Sequence, residues 1–329
     1  MKIYRYLLMG LSSIALIGLC FFLTSHQAGA VETAGVTEVE ETEQQPQRLV
    51  GFNIYSIPVP DYVEFCGKKI SLDRYDMYER YDREINSFAY LHSTTMLLMK
   101  RANRYFPVIE PILKKNNIPD DFKYLAVIES NLSPRAISTA KAAGLWQFMA
   151  DTGKRYGLEI NNQVDERYHI EKSTEAACQY LNEAYRKYRD WASVAASYNG
   201  GMGRISTELS SQIADNSFDL LLVEETSRYV FRIMAAKEIF ENPRKYGFIL
   251  NREDLYPVIR TKKVQVSEDI PDLAVFAQGH NISYFHLKDF NIWLREKSLT
   301  ISPKNPKTYT IEIPLAEDLY YSRNKSRNN

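Results

Sequence analysis

Apolar positions three and four residues apart dominate the chain from Leu72 to about Tyr246, the period of helices buried along one face. Tyr75, Tyr78, Ile85 and Phe88 mark a first helical region, Met96, Leu97 and Met99 a second, and Val108, Ile109 and Ile112 a third. A helix over 118–130 begins with Pro119, Asp120 and Asp121, residues suited to a first turn. Further helices are expected over 146–156, closed by Gly157, and over 171–188, with Ala176, Ala177, Tyr180, Leu181 and Ala184 inward. Asp190 caps another over 191–198 that stops at Gly200-Gly201, and the last runs over 225–241 to Pro243. No stretch in this region reads as a strand of a large sheet, so the main domain is all-α. Beyond Tyr256 the pattern changes to strand, helix, helix, strand: Val264-Gln265-Val266 alternates, 270–277 and 283–290 are helical, and 309–314 alternates again. The fold class is therefore mainly α, with a small α+β module at the C-terminal end.

The two ends of the chain read differently from its body. Lys2 and Arg5 precede an uncharged run from Tyr6 to Leu23, and Ala28-Gly29-Ala30 offers a cleavage pattern. Residues 1–30 are a secretory signal peptide or, given the length of the apolar run, a membrane anchor. Leu19 before Cys20 argues against a lipoprotein. In either case the body is exported, to the periplasm or the envelope. Residues 31–50 are an acidic flexible linker, with Glu32, Glu38, Glu40, Glu41 and Glu43 and little to bury. Residues 51–117 form an N-terminal extension that starts extended at Ile57-Pro58 and Val59-Pro60 and then turns helical. The main domain covers 118–250, the module 256–316, and 317–329 is a polar tail.

Composition changes this picture at three points. The 41 basic and 41 acidic residues cancel, which argues against a nucleic-acid partner held by phosphate contacts. Cys20, Cys66 and Cys178 show no metal-ligand spacing, and nothing calls for a cofactor; Cys66 and Cys178 are either a disulfide in an oxidising compartment or two free buried thiols. The 23 Tyr suit either a polar carbohydrate groove or half-buried helix packing.

Candidate chemistry centres on Glu129. It shares one helix face with Phe122, Leu125 and Ala126, and Ser130, Asn131 and Ser133-Pro134 end the helix directly behind it. Burial and the negative helix end both disfavour its charged form, and a carboxylic acid kept neutral near pH 7 suits general-acid work on a glycosidic oxygen. Three other segments offer groups to a cleft: Ser138 with the run Gly144 to Met149, then Tyr198-Asn199-Gly200-Gly201, then Glu225-Thr226-Ser227-Arg228-Tyr229-Val230. In the first, Gln147 can bond a hydroxyl or acetamido group while Trp146 or Phe148 packs on the sugar ring. Each segment alone also reads as an ordinary cap or helix start.

In this order the four segments resemble the lytic transglycosylase domain, the goose-lysozyme-like fold of murein-cleaving enzymes. Glu129-Ser130, Gly144-Leu145-Trp146-Gln147, Tyr198-Asn199-Gly200-Gly201 and Glu225-Thr226-x-x-Tyr229-Val230 carry the resemblance, over roughly 121–240. The GLWQFM form and a VDER-like segment, Val164 to Arg167, are similar to the membrane-bound lytic transglycosylase D branch, although His169 stands where that branch often has an acid. The resemblance implies Glu129 as catalytic acid/base, with Ser138, Gln147, Met149, Tyr198, Asn199 and Tyr229 as substrate-binding residues. It implies cleavage of the MurNAc-β-1,4-GlcNAc bond of peptidoglycan strands with 1,6-anhydro ends. A hydrolytic muramidase, using Asp151 or Asp165 as second carboxylate, and a non-catalytic wall-binding protein are the competing readings. The C-terminal module is similar to a LysM fold, with Ser267-Glu268-Asp269 in place of the usual Gly-Asp; a packing appendage is the other reading.

Overall fold

The computed structural model of the protein describes residues 54–304 and 306–321. The expected signal peptide or anchor, the acidic linker and the tail from 322 lie outside them. Among the described residues no helix is long and apolar enough to cross a membrane.

The chain starts with a hairpin that the sequence shows only as an extended stretch. Strand β1 (Tyr62–Phe65) pairs antiparallel with β2 (Lys68–Ser71), Val63 opposite Ile70. Cys66 and Gly67 form the two-residue turn with φ of 51° and 77°, the left-handed pair that matches the twist of the strands. Four-residue strands are too short for alternation to declare itself. Helices α1 (Tyr75–Tyr90) and α2 (His92–Lys115) follow. The second is one helix where the sequence reads as two regions. Its Pro107 and Pro111 lie four residues apart on the exposed side, where carbonyls deprived of an N–H partner can face water.

After a 3₁₀ turn at Asp120–Phe122 comes α3 (Lys123–Ser130). Leu125, Ala126 and Val127 are all fully buried, and three consecutive residues cover most of a helical turn. So α3 is enclosed, not one-sided, and it packs against α2 and the later α8. Asn131 and Leu132, with φ of 52° and 50°, end it abruptly. The helix expected from 146 begins only at Ala150: α4 covers Ala150–Arg155. Gly144 (φ 81°) and Gln147 (φ 49°) hold 143–148 as a bridged loop, with Ala143 paired to both Ile137 and Phe148. Helices α5 (Ile170–Tyr188), α6 (Trp191–Gly200), α7 (Met202–Ser211) and α8 (Glu224–Glu241) complete the layer. The stop at Gly200-Gly201 is as expected, with Gly201 at φ 82°, but α7 beyond it is not among the helices the sequence shows. Cys66 and Cys178 are free thiols, the latter fully buried in the core.

The C-terminal module has the expected order: β3 (Thr261–Val266), α9 (Leu273–Gly279), α10 (Tyr284–Phe290), β4 (Tyr309–Pro314). Its strands pair antiparallel from Thr261 opposite Pro314 to Val266 opposite Tyr309. Asp272 caps α9 by accepting from Ala274 and Val275 N–H, and Ser283 caps α10 from His286 N–H. Its core is not closed by its own residues. Ala143, Val164 and Tyr168 are buried together with Leu273, Leu287, Trp293 and Ile311. Two backbone bonds seal the seam, Asp165 N–H to the Trp293 carbonyl at 2.8 Å and Arg295 N–H to the Gln163 carbonyl at 2.7 Å. The Trp293 ring stacks on both His169 and Tyr309, each 5.8 Å away between centroids. Burial holds the His169 imidazole neutral, with its pKa pushed down to about 4.

Candidate active site

Glu129 stands in the last turn of α3, and two left-handed residues turn the chain away just behind it. Protein surrounds it closely, while part of the side chain keeps access to solvent. Burial pushes its carboxyl up to about 7; a hydrogen bond from Tyr229 and the charge of Arg232 oppose this, and Glu225 adds to it. The Tyr229 hydroxyl donates to Oε1 of Glu129. Tyr229 is almost fully buried, and burial together with the facing Glu129 keeps its phenol protonated well above the ordinary value.

Glu225, Tyr229 and Arg232 lie at i, i+4 and i+7 on α8, so one stripe of that helix carries the groups that act on Glu129. Arg232 Nη2 donates to the Ile128 carbonyl at 3.3 Å, which binds α8 to the end of α3. From α6, Tyr198 feels the same carboxylate, and burial with Glu129 holds its phenol protonated too. Its hydroxyl donates to the Trp146 carbonyl at 2.8 Å, joining α6 to the 143–148 loop. Asn199 bridges to α8, donating to Glu225 Oε1 at 3.3 Å and accepting from the Thr226 hydroxyl at 2.7 Å. Three helix ends and one loop therefore converge on one carboxyl group held near neutrality. Tyr229→Phe removes a bond that favours the carboxylate, so Glu129 will titrate at higher pH; a chemical-shift titration that moves down or stays put contradicts this network.

The remaining expected residues are on the loop side and make no hydrogen bond to Glu129. Ser138 Oγ accepts from Ala142 N–H at 3.0 Å and shapes the 138–142 turn. Gln147 Nε2 donates to the Gly144 carbonyl at 2.8 Å and the Ala136 carbonyl at 3.3 Å. Its amide oxygen has no protein partner among the described residues, which leaves an acceptor for a ligand. Met149 is exposed at the N-cap of α4. Trp146 and Phe148 depart from expectation. Both are buried, at 0% and 3% exposure, and Trp146 Nε1 donates to Thr174 Oγ1, so neither ring is open to stack on a sugar. Alternation along the loop explains it: 146 and 148 point inward, and 147 and 149 point out.

Sequence reasoning missed Arg167. Its guanidinium pairs with Asp165 at 3.0 and 2.7 Å and donates through Nη1 to the carbonyls of Lys141 (2.9 Å) and Phe148 (3.1 Å). One buried cation thus clamps both ends of the loop that presents Gln147. Asp165 is in turn seated by the Trp293 carbonyl of the module. The short VDER segment was visible, but its partners are carbonyls, which leave no trace in sequence. Among the described residues no group of three or more His, Cys, Asp or Glu could hold a metal ion.

Residues 106–219 match the family model for the transglycosylase SLT domain. The chain carries an SLT domain. Residues 262–317 match the soluble lytic transglycosylase C-terminal LysM-like domain. The SLT domain is lysozyme-like and mostly helical. Its matched span holds Glu129, Ser138, Gln147, Met149, Tyr198 and Asn199, while Tyr229 on α8 lies past its end. The chain is similar to membrane-bound lytic murein transglycosylase D of Escherichia coli, in each of two strains, at 31% identity over 229 residues, 68% of this chain. It spans 49% of that relative, about half its length. A solved structure of an inactive mutant of lytic transglycosylase Slt from Pseudomonas aeruginosa is 16% identical, with a TM-score of 0.34, covering 47% of this chain and 26% of that one.

Proposed function

We propose that the protein is a peptidoglycan lytic transglycosylase in the cell envelope, with Glu129 as its single acid/base. Glu129 gives its proton to the leaving oxygen of the MurNAc-β-1,4-GlcNAc bond as that bond breaks. The resulting carboxylate then takes the proton of the C6 hydroxyl of the same MurNAc. The C6 oxygen closes on C1, and a 1,6-anhydro end forms without water. The substrate's own acetamido group steadies the oxocarbenium-like state, as in substrate-assisted glycosidases. The Glu129 carboxyl, near pH 7 in its titration and bonded by Tyr229, carries this reading, because one group must serve first as acid and then as base. Tyr198, Asn199, Ser138, Gln147 and Met149 line the glycan's path on the α6 and loop sides. Envelope placement draws on the Lys2–Leu23 pattern and on the membrane-bound relative.

A hydrolytic muramidase would need a second carboxylate to activate water. Asp165 is committed to Arg167, and Asp151, exposed in the first turn of α4, has no part in the contacts of Glu129. Mass spectrometry of digested peptidoglycan decides between the two: anhydro-ended muropeptides, one water lighter than reducing ones, are expected. Reducing ends alone would sink the proposal.

A further inference from the structure

A cavity of about 620 Å³ is lined in part by Arg232 and Glu225, the two charged groups that act on Glu129. Helix α1, the start of α2 and the first turns of α8 enclose it, and Asn131, directly behind the end of α3, reaches its edge. Much of its wall comes from α1, in the extension that precedes the matched SLT span. Its floor is a closed ion pair: Glu84, 1% exposed, takes Arg228 Nε at 2.6 Å and Nη2 at 3.2 Å. That pair gives shape more than binding, since each charge is already answered.

Glu224 is answered as well, by Arg83 at 2.6 Å, whereas Arg232 and Glu225 are arranged differently. Arg232 lines the cavity and, among the described residues, spends one hydrogen bond of its fork, on the Ile128 carbonyl. Glu224 and Glu225 open onto the same space and are exposed. From Glu225 to Arg232 the helix rises by about 10 Å, given roughly 1.5 Å per residue. An extended peptide covers that distance in about three residues at roughly 3.3 Å each. Between the two charged ends lie Phe88 and Leu91, a surface for small apolar side chains. A stripped glycan carries only the lactyl carboxylates of its MurNAc residues and no ammonium group, so it cannot match both ends of such a lining. A short peptide bearing both carboxylates and an ammonium group does, and the volume falls in the ordinary range of ligand pockets.

We propose that this cavity receives the charged peptide stem of the sugar beside the scissile bond, with Arg232 taking a stem carboxylate and Glu225 an ammonium group. The proposal rests on the peptidoglycan reading above. It makes the extension before the SLT domain a determinant of which strands are cut, and Arg232, which also faces Glu129, the link between stem and acid.

The test uses the full chain on two substrates: glycan strands bearing their stems, and the same strands stripped by an amidase. Thr94→Trp and Ser87→Trp fill the cavity from α2 and α1, away from every contact of Glu129. Each should lower kcat/KM about tenfold on stem-bearing strands and by less than about twofold on stripped ones, since a blocked subsite forfeits the stem's binding only where the stem is present. An equal loss on both substrates, or no loss on stem-bearing strands, overturns the proposal. If both bulky variants misfold by circular dichroism, Glu225→Gln should lower the ratio of kcat/KM on stem-bearing to stripped strands about threefold, any effect through Glu129 cancelling in that ratio, and an unchanged ratio is equally fatal. Failure of the activity reading is separate: it shows as cleavage of stripped strands that survives Glu129→Gln.

Discussion

Glu129→Gln will reduce glycan cleavage by roughly 10⁴-fold or more, because in the proposed mechanism one carboxyl performs both proton transfers and each such role contributes about 10²–10⁴-fold. Muropeptide release from purified sacculi measures it; comparable rates in variant and wild type would remove Glu129 from the mechanism. In that mechanism the protonated acid starts the reaction, so kcat/KM of the wild type should hold below neutrality and fall as pH rises through about 7. The same shift has a stability consequence of definite sign. Folding raises the Glu129 pKa, so the native state keeps a proton that the unfolded chain releases above the ordinary carboxylate range. Stability is then greatest at lower pH and declines as pH climbs towards about 7, after which this contribution is flat. Gln carries no such cost and can still accept from Tyr229. The variant should therefore be more stable than wild type at pH 8 by about 2 kcal/mol, after allowance for partial solvent access, and no more stable at pH 4. Denaturant melts at the two pH values read this directly.

Gly144→Ala will destabilise the protein and silence it together. A Cβ at 144 would lie 1.9 Å from the Arg167 carbonyl oxygen and 2.8 Å from its carbon, and the backbone there has φ of 81°. Backbone on both sides cannot yield as a flexible side chain would. The left-handed conformation and the clash together cost about 3 kcal/mol, a fall in Tm of about 6–12 °C for a domain of this size. Activity should fall further than stability alone requires, since the displaced loop carries Gln147 and the Trp146 carbonyl that holds Tyr198. Gly203→Ala is the control: nothing lies within 4 Å of its added Cβ, and it sits in helix α7, so Tm should stay or rise slightly. A Gly144→Ala protein that melts with wild type would show the loop to be less constrained than its contacts require.

The positions where sequence and structure part company share a cause. The helices appear in the right places because burial on one face leaves a period that does not depend on what the face touches. Errors fall where the backbone departs from that period. The 146–156 helix shortened to Ala150–Arg155 because Gly144 and Gln147 take positive φ. α2 ran through two prolines because both are exposed. The β1–β2 hairpin is too short to alternate visibly. Among the candidate site residues, Glu129 stands out from its placement at the end of an apolar stripe, and Tyr229 from its motif. Their hydrogen bond spans 100 residues of sequence and had no signal of its own. Trp146 was misread because a loop carries no periodicity from which to tell inside from outside.

By itself the sequence determined that this is a helical protein with an acid at a helix end, three other segments able to line a cleft around it, and a small strand–helix–helix–strand unit behind. Local propensity, caps and hydrophobic period suffice for that, since each acts within a few residues. Only the tertiary structure decided that Tyr229, Arg232 and Glu225 converge on Glu129 from one stripe of α8. It alone decided that Arg167 clamps the Gln147 loop through backbone carbonyls, and that the C-terminal module shares its core with Ala143, Val164 and Tyr168. These are contacts between residues far apart in the chain, made through burial and carbonyl oxygens that every residue possesses. The same is true of the proton on Glu129: a raised pKa comes from the protein packed around the carboxyl, and that packing exists only once the chain has closed.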